Sequence, residues 1–176
     1  VWCSAKNIDR ICALFRACKR CGKTLVIDPY TANVLAAVAG LNPKIPTVTT
    51  AEQMKVYFPP RLTTLLTERN QERYIYSLNP KQNKVSYDDF ARSPEHYVML
   101  VRPTTLTYLQ RIKAPHIRLV KSIWDGYWNE PSTERFRRWV EEHCDVVKDI
   151  HSSGHADTQS LQRIVEFVRP KTIVPI

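Results

Sequence analysis

The chain has 176 residues, with 26 Lys and Arg against 17 Asp and Glu, a formal charge of +9, 5 Cys, 4 Gly and 12 Pro. That length suits one domain or one domain with a small appendage, and 43% hydrophobic with 24% charged residues excludes disorder of the whole chain. No run approaches the roughly 18 apolar residues of a membrane span, and Lys6, Asp9 and Arg10 interrupt the start before a signal-peptide core could form.

The sequence begins at Val1 and stops at Ile176 within an apolar run, which reads as a piece of something longer. The positive balance fits an anionic partner, nucleic acid ahead of a membrane surface. It is dispersed, although Lys6, Arg10, Arg16, Lys19, Arg20 and Lys23 precede any second acidic residue after Asp9. An odd number of cysteines without secretory features points to a reduced, cytoplasmic compartment. Cys18 and Cys21 form a CxxC pair with no second Cys/His pair at zinc-finger spacing, so they read as neighbours on one helix face.

In chain order, Ile8, Ile11, Cys12, Leu14, Phe15 and Cys18 recur with helical spacing, and Gly22 suits the helix end. Residues 24–27 predict a buried strand, residues 31–39 a helix closed by Gly40, and residues 41–48 a proline-punctuated connection. A strand over 54–58 leads to a helix opened by Pro60 and running to about Gln71. Between 72 and 95 the Asn79-Pro80 pair and Asn83 mark a turn, with a short helix over 88–92. A strand follows at 97–101, stopped by Pro103, then a helix at 105–113 and a strand at 118–124. Residues 131–134 open a helix carrying Phe136, Trp139 and Val140 on one side. A strand within 144–150, a helix at 159–168 and a last strand at 171–176 complete the series.

Short strands alternating with helices predict an α/β fold, a Rossmann-like and mostly parallel sheet with helices on both faces. A nucleotide cofactor is disfavoured. The glycines at 22, 40, 126 and 154 are too far apart for a GxGxxG or Walker loop.

One segment carries chemistry: His151-Ser152-Ser153-Gly154-His155-Ala156, directly after an apolar strand. Two imidazoles, hydroxyls and a glycine between a strand end and a helix start suit an oxyanion or phosphate, and histidine exchanges protons near neutrality. The competing reading is a helix cap by Ser153 or Asp157 with solvated histidines. His96, His116 and His143 read as ordinary surface positions, His143 at a helix end where a cation is favoured. Trp124, Tyr127 and Trp128 read as packing around the Gly126 turn ahead of base stacking.

The stretch 151–176, HSSGHADTQSLQRIVEFVRPKTIVPI, resembles the H-x-S-G-H-A…L…R-P…I-P sequence of metallo-β-lactamase-fold nucleases that carry a β-CASP domain. Ribonuclease J-like enzymes and the cleavage/polyadenylation endonucleases belong to that group. Residues 4–10, SAKNIDR, resemble the S-x-x-N-x-x-R opening of a β-CASP insertion, whereas the middle of the chain matches only in its βα rhythm.

The resemblance implies a β-CASP domain over 1–150 and a return segment over 151–176 into the lactamase core, made of motif B, a helix and a strand. It implies that His155 is the motif B histidine, a proton donor or scissile-phosphate contact, and that His151 and Ser153 hold a substrate phosphate. Asn7 and Arg10 become cleft-facing contacts. In that family two zinc ions are held by an HxHxDH motif with a further His and Asp. No HxHxDH occurs here, so these residues are expected to hold no metal and to be inactive alone, the zinc lying elsewhere in an enzymatic parent. The implied partners are RNA ahead of DNA and the lactamase domain of the same chain, with no membrane. The oligomeric state is not implied. Two other functions fit the same residues: a hydrolase of another phosphoester, and a non-catalytic basic α/β module binding nucleic acid or protein.

Overall fold

Strands and helices alternate along a computed structural model that describes residues 1–112, 114, 116–150 and 158–174, with the backbone alone for Val146 and Val147. The strands are β1 (Trp2–Cys3), β2 (Thr24–Ile27), β3 (Met54–Val56), β4 (Tyr97–Met99), β5 (Ile117–Ser122) and β6 (Cys144–Asp149). The longer helices are α1 (Ile8–Arg20), α2 (Pro29–Ala39) and α3 (Pro60–Glu68). Short helices follow at α4 (Arg73–Tyr76), α5 (Pro80–Asn83), α6 (Tyr87–Arg92), α7 (Leu106–Leu109) and α8 (Asp125–Trp128). The last two are α9 (Glu134–His143) and α10 (Thr158–Val168).

Every pairing among these strands is parallel: β3-β2-β4 form one three-stranded sheet and β1-β5-β6 another. The two meet at the chain start. The Val1 nitrogen donates to the Met99 carbonyl at 2.7 Å, and Val101 N–H donates to the Val1 carbonyl at 2.8 Å. This is the alternating pattern of a parallel pair, and it sets the strands in the order β3-β2-β4-β1-β5-β6.

Alternation along β2 explains the layering. Leu25 and Ile27 pack with Ile11 and Cys18 of α1 and with Ala32 and Leu35 of α2. Val26, between them, packs with Tyr57, Phe90 and Tyr108 on the other side. Successive side chains leave a strand on opposite faces, so β2 is covered twice. The second sheet has its own cluster, where Leu119 of β5 meets Phe136, Trp139 and Val140 of α9. α1 ends where expected, with Gly22 at φ +64°, a conformation that favours glycine.

Several elements differ from expectation. β1 is additional: two residues suffice because Trp2 and Cys3 lie between β5 and the β4 segment. The helix expected at 105–113 is a 3₁₀ turn over Pro103–Thr105 followed by the single turn of α7. The β-branched Thr104 and Thr105 are weak helix formers. β5 stops at Ser122, and Asp125-Gly126 redirects the chain, so Trp124 lies outside the strand. Residues 171–174 form no strand; the described part of that segment is exposed and has no strand beside it to pair with. Among the described residues no helix is long and apolar enough to cross a membrane.

At the carboxyl edge an ion pair ties the two crossovers of the first sheet. Asp28, 6% exposed, caps α2 by accepting from Thr31 N–H at 2.7 Å and accepts from the Arg102 guanidinium at 2.7 Å. The same Arg102 nitrogen donates to the Thr31 hydroxyl at 3.0 Å. Asp28→Asn keeps a capping oxygen but leaves a partly buried guanidinium without its counter-charge. Arg102 remains in contact with water, so the expected loss is about 2 kcal/mol, below the usual 3–5 for a fully buried pair. Asp28→Ala, which also removes the cap, loses about 1 kcal/mol more. Urea unfolding of the two variants measures both, and equal stability of Asp28→Asn and wild type would contradict this role.

Candidate nucleic-acid interface

Parallel strands deliver all their carboxyl ends to one edge, and ligands of open α/β sheets bind in the crevice outside those ends. A cleft of about 750 Å³ opens there, lined by residues 2–7 after and within β1, Tyr30 after β2, residues 102–104 after β4 and residues 122–124 after β5. Tyr127, Glu130, Ser132 and Thr133 line it from the loop that follows. It straddles the junction of β4 with the chain start. From there one crossover runs to β2 and the next runs to β5.

The first wall is the turn from β1 into α1. Ser4 accepts from Lys6 N–H through its hydroxyl at 3.2 Å and from Asn7 N–H through its carbonyl at 3.1 Å. The Asn7 side-chain oxygen caps α1 by accepting from Arg10 N–H at 3.1 Å. Arg10 in turn donates from its guanidinium to the Ser122 carbonyl at 2.9 Å, fastening α1 to the end of β5. Asn7 and Arg10 therefore both line the cleft, each with a structural bond. Lys6 and Arg102 join them, neither of which the sequence motifs single out. Their signal was positional: each lies three residues beyond a strand end. Arg102 also lies over the Tyr30 ring at 5.5 Å from its centroid.

The opposite wall is the aromatic turn after β5. The packing expected around the Gly126 turn is present, with the Trp124 ring on Gly126 and against Tyr127, but of the three aromatics only Trp128 also packs on a core cluster. Trp128 meets Trp2 with ring centroids 5.6 Å apart and has the Lys121 ammonium over its face at 5.5 Å. Trp124 and Tyr127 are 60% and 56% exposed and line the cleft. Lys121 lies beneath this turn, buried, with its ammonium donating to Asp125 at the turn and to Asp149 at the end of β6. Burial works to lower its pKa, but the hydrogen bonds to the two carboxylates outweigh it and hold the ammonium above its ordinary value.

β6 brings the chain to the same edge. Ile150 N–H donates to the Lys121 carbonyl at 2.8 Å, and the Ile150 carbonyl accepts from the Ser122 hydroxyl. Ser122 lines the cleft. The next residue is His151, and His151, Ser153 and His155 all lie outside the described residues.

The other histidines stand apart from this edge. His143, the last residue of α9, donates from Nδ1 to the Trp139 carbonyl at 2.9 Å and stacks on the Trp139 ring at 12°. His116 pairs with Asp145 at 3.0 Å, and His96 lies 3.3 Å from Glu95. Cys18 is buried and Cys21 exposed at the far end of α1, and burial raises the Cys18 thiol pKa, which disfavours the thiolate a metal would need. Among the described residues no group of three or more His, Cys, Asp or Glu side chains could hold a metal ion.

Comparison with known proteins finds similarity over the C-terminal part of the chain. No curated protein and no solved structure matches it. Residues 139–176, from the second half of α9 through β6 and α10, match the family model of the Zn-dependent metallo-hydrolase RNA specificity domain.

Proposed function

We propose that residues 1–150 form a Rossmann-like β-CASP domain of a zinc-dependent metallo-β-lactamase-fold nuclease, and that residues 151–176 return from it into the catalytic core. The observation that carries this reading is the match of residues 139–176 to an RNA specificity domain of zinc-dependent metallo-hydrolases. The position of Ile150 supports it, because the last described residue before the His-Ser-Gly-His segment is bonded to the rim of the basic cleft. A sheet whose strands wind outward from a central β4-β1 pair supports the Rossmann-like description.

α10 supports the domain division. It buries none of its residues, and Leu161, Ile164 and Val168 form an exposed apolar stripe at helical spacing with Phe167 beside it, 90% exposed. Such a stripe suits a helix that packs against a further domain of the same protein.

In this reading RNA lies across the carboxyl edge with its phosphates facing Lys6, Arg10 and Arg102. His151 and Ser153 bind the phosphate next to the scissile bond. His155 donates a proton to the leaving oxygen or contacts the scissile phosphate directly. The sequence has no HxHxDH, and the described residues do not fit a metal site. The zinc is therefore held by residues beyond these, where it would activate water and stabilise charge on the phosphate.

The test is cleavage of labelled single-stranded RNA and DNA by the intact protein. His155→Ala is expected to lower the rate on RNA by about a hundredfold or more. Metal-dependent cleavage at the wild-type rate would overturn the role of His155, and failure to cut either polymer would overturn the nuclease reading.

Geometry also divides the basic residues of the first helix region. Lys6 lies at the cleft, whereas Arg20, in the last turn of α1, lies towards the opposite edge, from which β2 begins. Lys6→Ala is expected to reduce the slope of log affinity for single-stranded RNA against log salt by about 0.7, one phosphate contact. Arg20→Ala leaves that slope unchanged. Equal effects of the two substitutions would mean that the charge acts diffusely and that the cleft is not the binding face.

A further inference from the structure

The aromatic turn after β5 combines tight packing of one ring with exposure of that ring to the cleft. A Cβ placed on Gly126 would fall 2.0 Å from Cζ3 of Trp124 and 2.4 Å from both Cε3 and Cη2. The six-membered ring of the indole therefore lies flat against the Gly126 backbone, where any other residue would expel it. The Tyr127 ring braces it edge-to-face, 5.7 Å between centroids at 89°. Trp124 nevertheless remains 60% exposed and lines the cleft.

An indole that served only packing would turn inward as Trp128 does. This one is fixed by its neighbours and keeps much of its surface towards solvent. Fixing it before a ligand arrives removes the ordering cost that a mobile side chain incurs on binding.

The surroundings select the occupant. Lys6, Arg10 and Arg102 line the same cleft against one acidic residue of the lining, Glu130. A polymer with anionic phosphates and flat π-faces satisfies both walls, and base-on-aromatic stacking is tolerant of sequence. Support of Asp125 by Lys121, which also holds Asp149, fixes the turn relative to the strand that enters the His151 segment.

We propose that Trp124, seated on Gly126 and braced by Tyr127, is a stacking platform for one unpaired nucleobase of single-stranded RNA held in the carboxyl-edge cleft. The proposal rests on the RNA-binding reading above and adds a base-contacting position to it.

The experiment compares a short oligoadenylate with an abasic ribose-phosphate oligomer of equal length, binding to the intact protein by fluorescence anisotropy at one low salt concentration. Trp124→Ala is expected to weaken oligoadenylate binding about tenfold and to leave the abasic oligomer unaffected. Trp124→Phe retains most of the affinity. Gly126→Ala, which keeps the tryptophan but removes its seat, weakens oligoadenylate binding in the same direction. Wild-type affinity of Trp124→Ala for oligoadenylate would overturn the platform and leave the RNA-binding reading intact. So would an equal loss for both oligomers, which would signify a structural role. If wild-type protein bound neither oligomer, both readings would fall.

Discussion

Parallel pairing is the constraint from which the rest of this structure follows. A parallel strand returns to its starting edge before the next begins, so every crossover descends through a helix or loop and every strand exits at the same edge. Residues far apart in sequence are gathered there: Lys6 after β1, Asp28 after β2, Arg102 after β4, Trp124 after β5 and Ile150 at the end of β6. The cleft is thus a property of topology, and its chemistry is set by whichever residues follow the strand ends. A second cavity, of about 670 Å³, lies towards the strand starts between Leu109, Ile117, Trp139 and Cys144, and it has Glu142 and Asp145 in its lining but no Lys or Arg.

The charges at that edge are held by structural bonds, which makes the surface preorganised. Arg10 bonds the Ser122 carbonyl, Arg102 bonds Asp28 and Thr31, and Lys121 bridges Asp125 and Asp149. Arg102 connects two crossovers, Arg10 ties α1 to the end of β5, and Lys121 ties β5 to the following turn and to β6. Positive charge fixed in this way needs little reordering when an anion arrives. The aromatic wall follows the same logic, since Gly126 and Tyr127 fix the indole as the ion pairs fix the guanidinium groups.

Legibility of the fold tracked how local its causes are. β2, β4 and α9 were readable because apolar runs and helical periodicity are local signals. β1 was not, since two residues form a strand only when β5 and the β4 segment lie on either side of them. The helix expected at 105–113 is, among the described residues, the single turn Leu106–Leu109, and the weak helical preference of Thr104 and Thr105 accounts for its late start. The loss of β5 at Trp124 reflects a turn at Asp125-Gly126 that the preceding apolar pattern hides. Asn7 and Arg10, proposed from a motif, line the cleft, but their bonding to Arg10 N–H and the Ser122 carbonyl was not visible in sequence. Lys6 and Arg102 reach the cleft through their positions after strand ends, which requires the topology. Packing of Trp124 and Tyr127 around Gly126 was readable, but their exposure to the cleft was not, because it depends on how a single glycine lets a ring fold back.

On the reading proposed above, the carboxyl edge of the sheet is the RNA-binding face. Photo-cross-linking of the intact protein to single-stranded RNA containing 4-thiouridine, with peptide mapping by mass spectrometry, tests it most directly. Adducts are expected within residues 2–7, 122–133 and 150–157, at and after the strand ends. Adducts confined to the opposite edge, around Lys23, Glu95 and His116 at the strand starts, would contradict it.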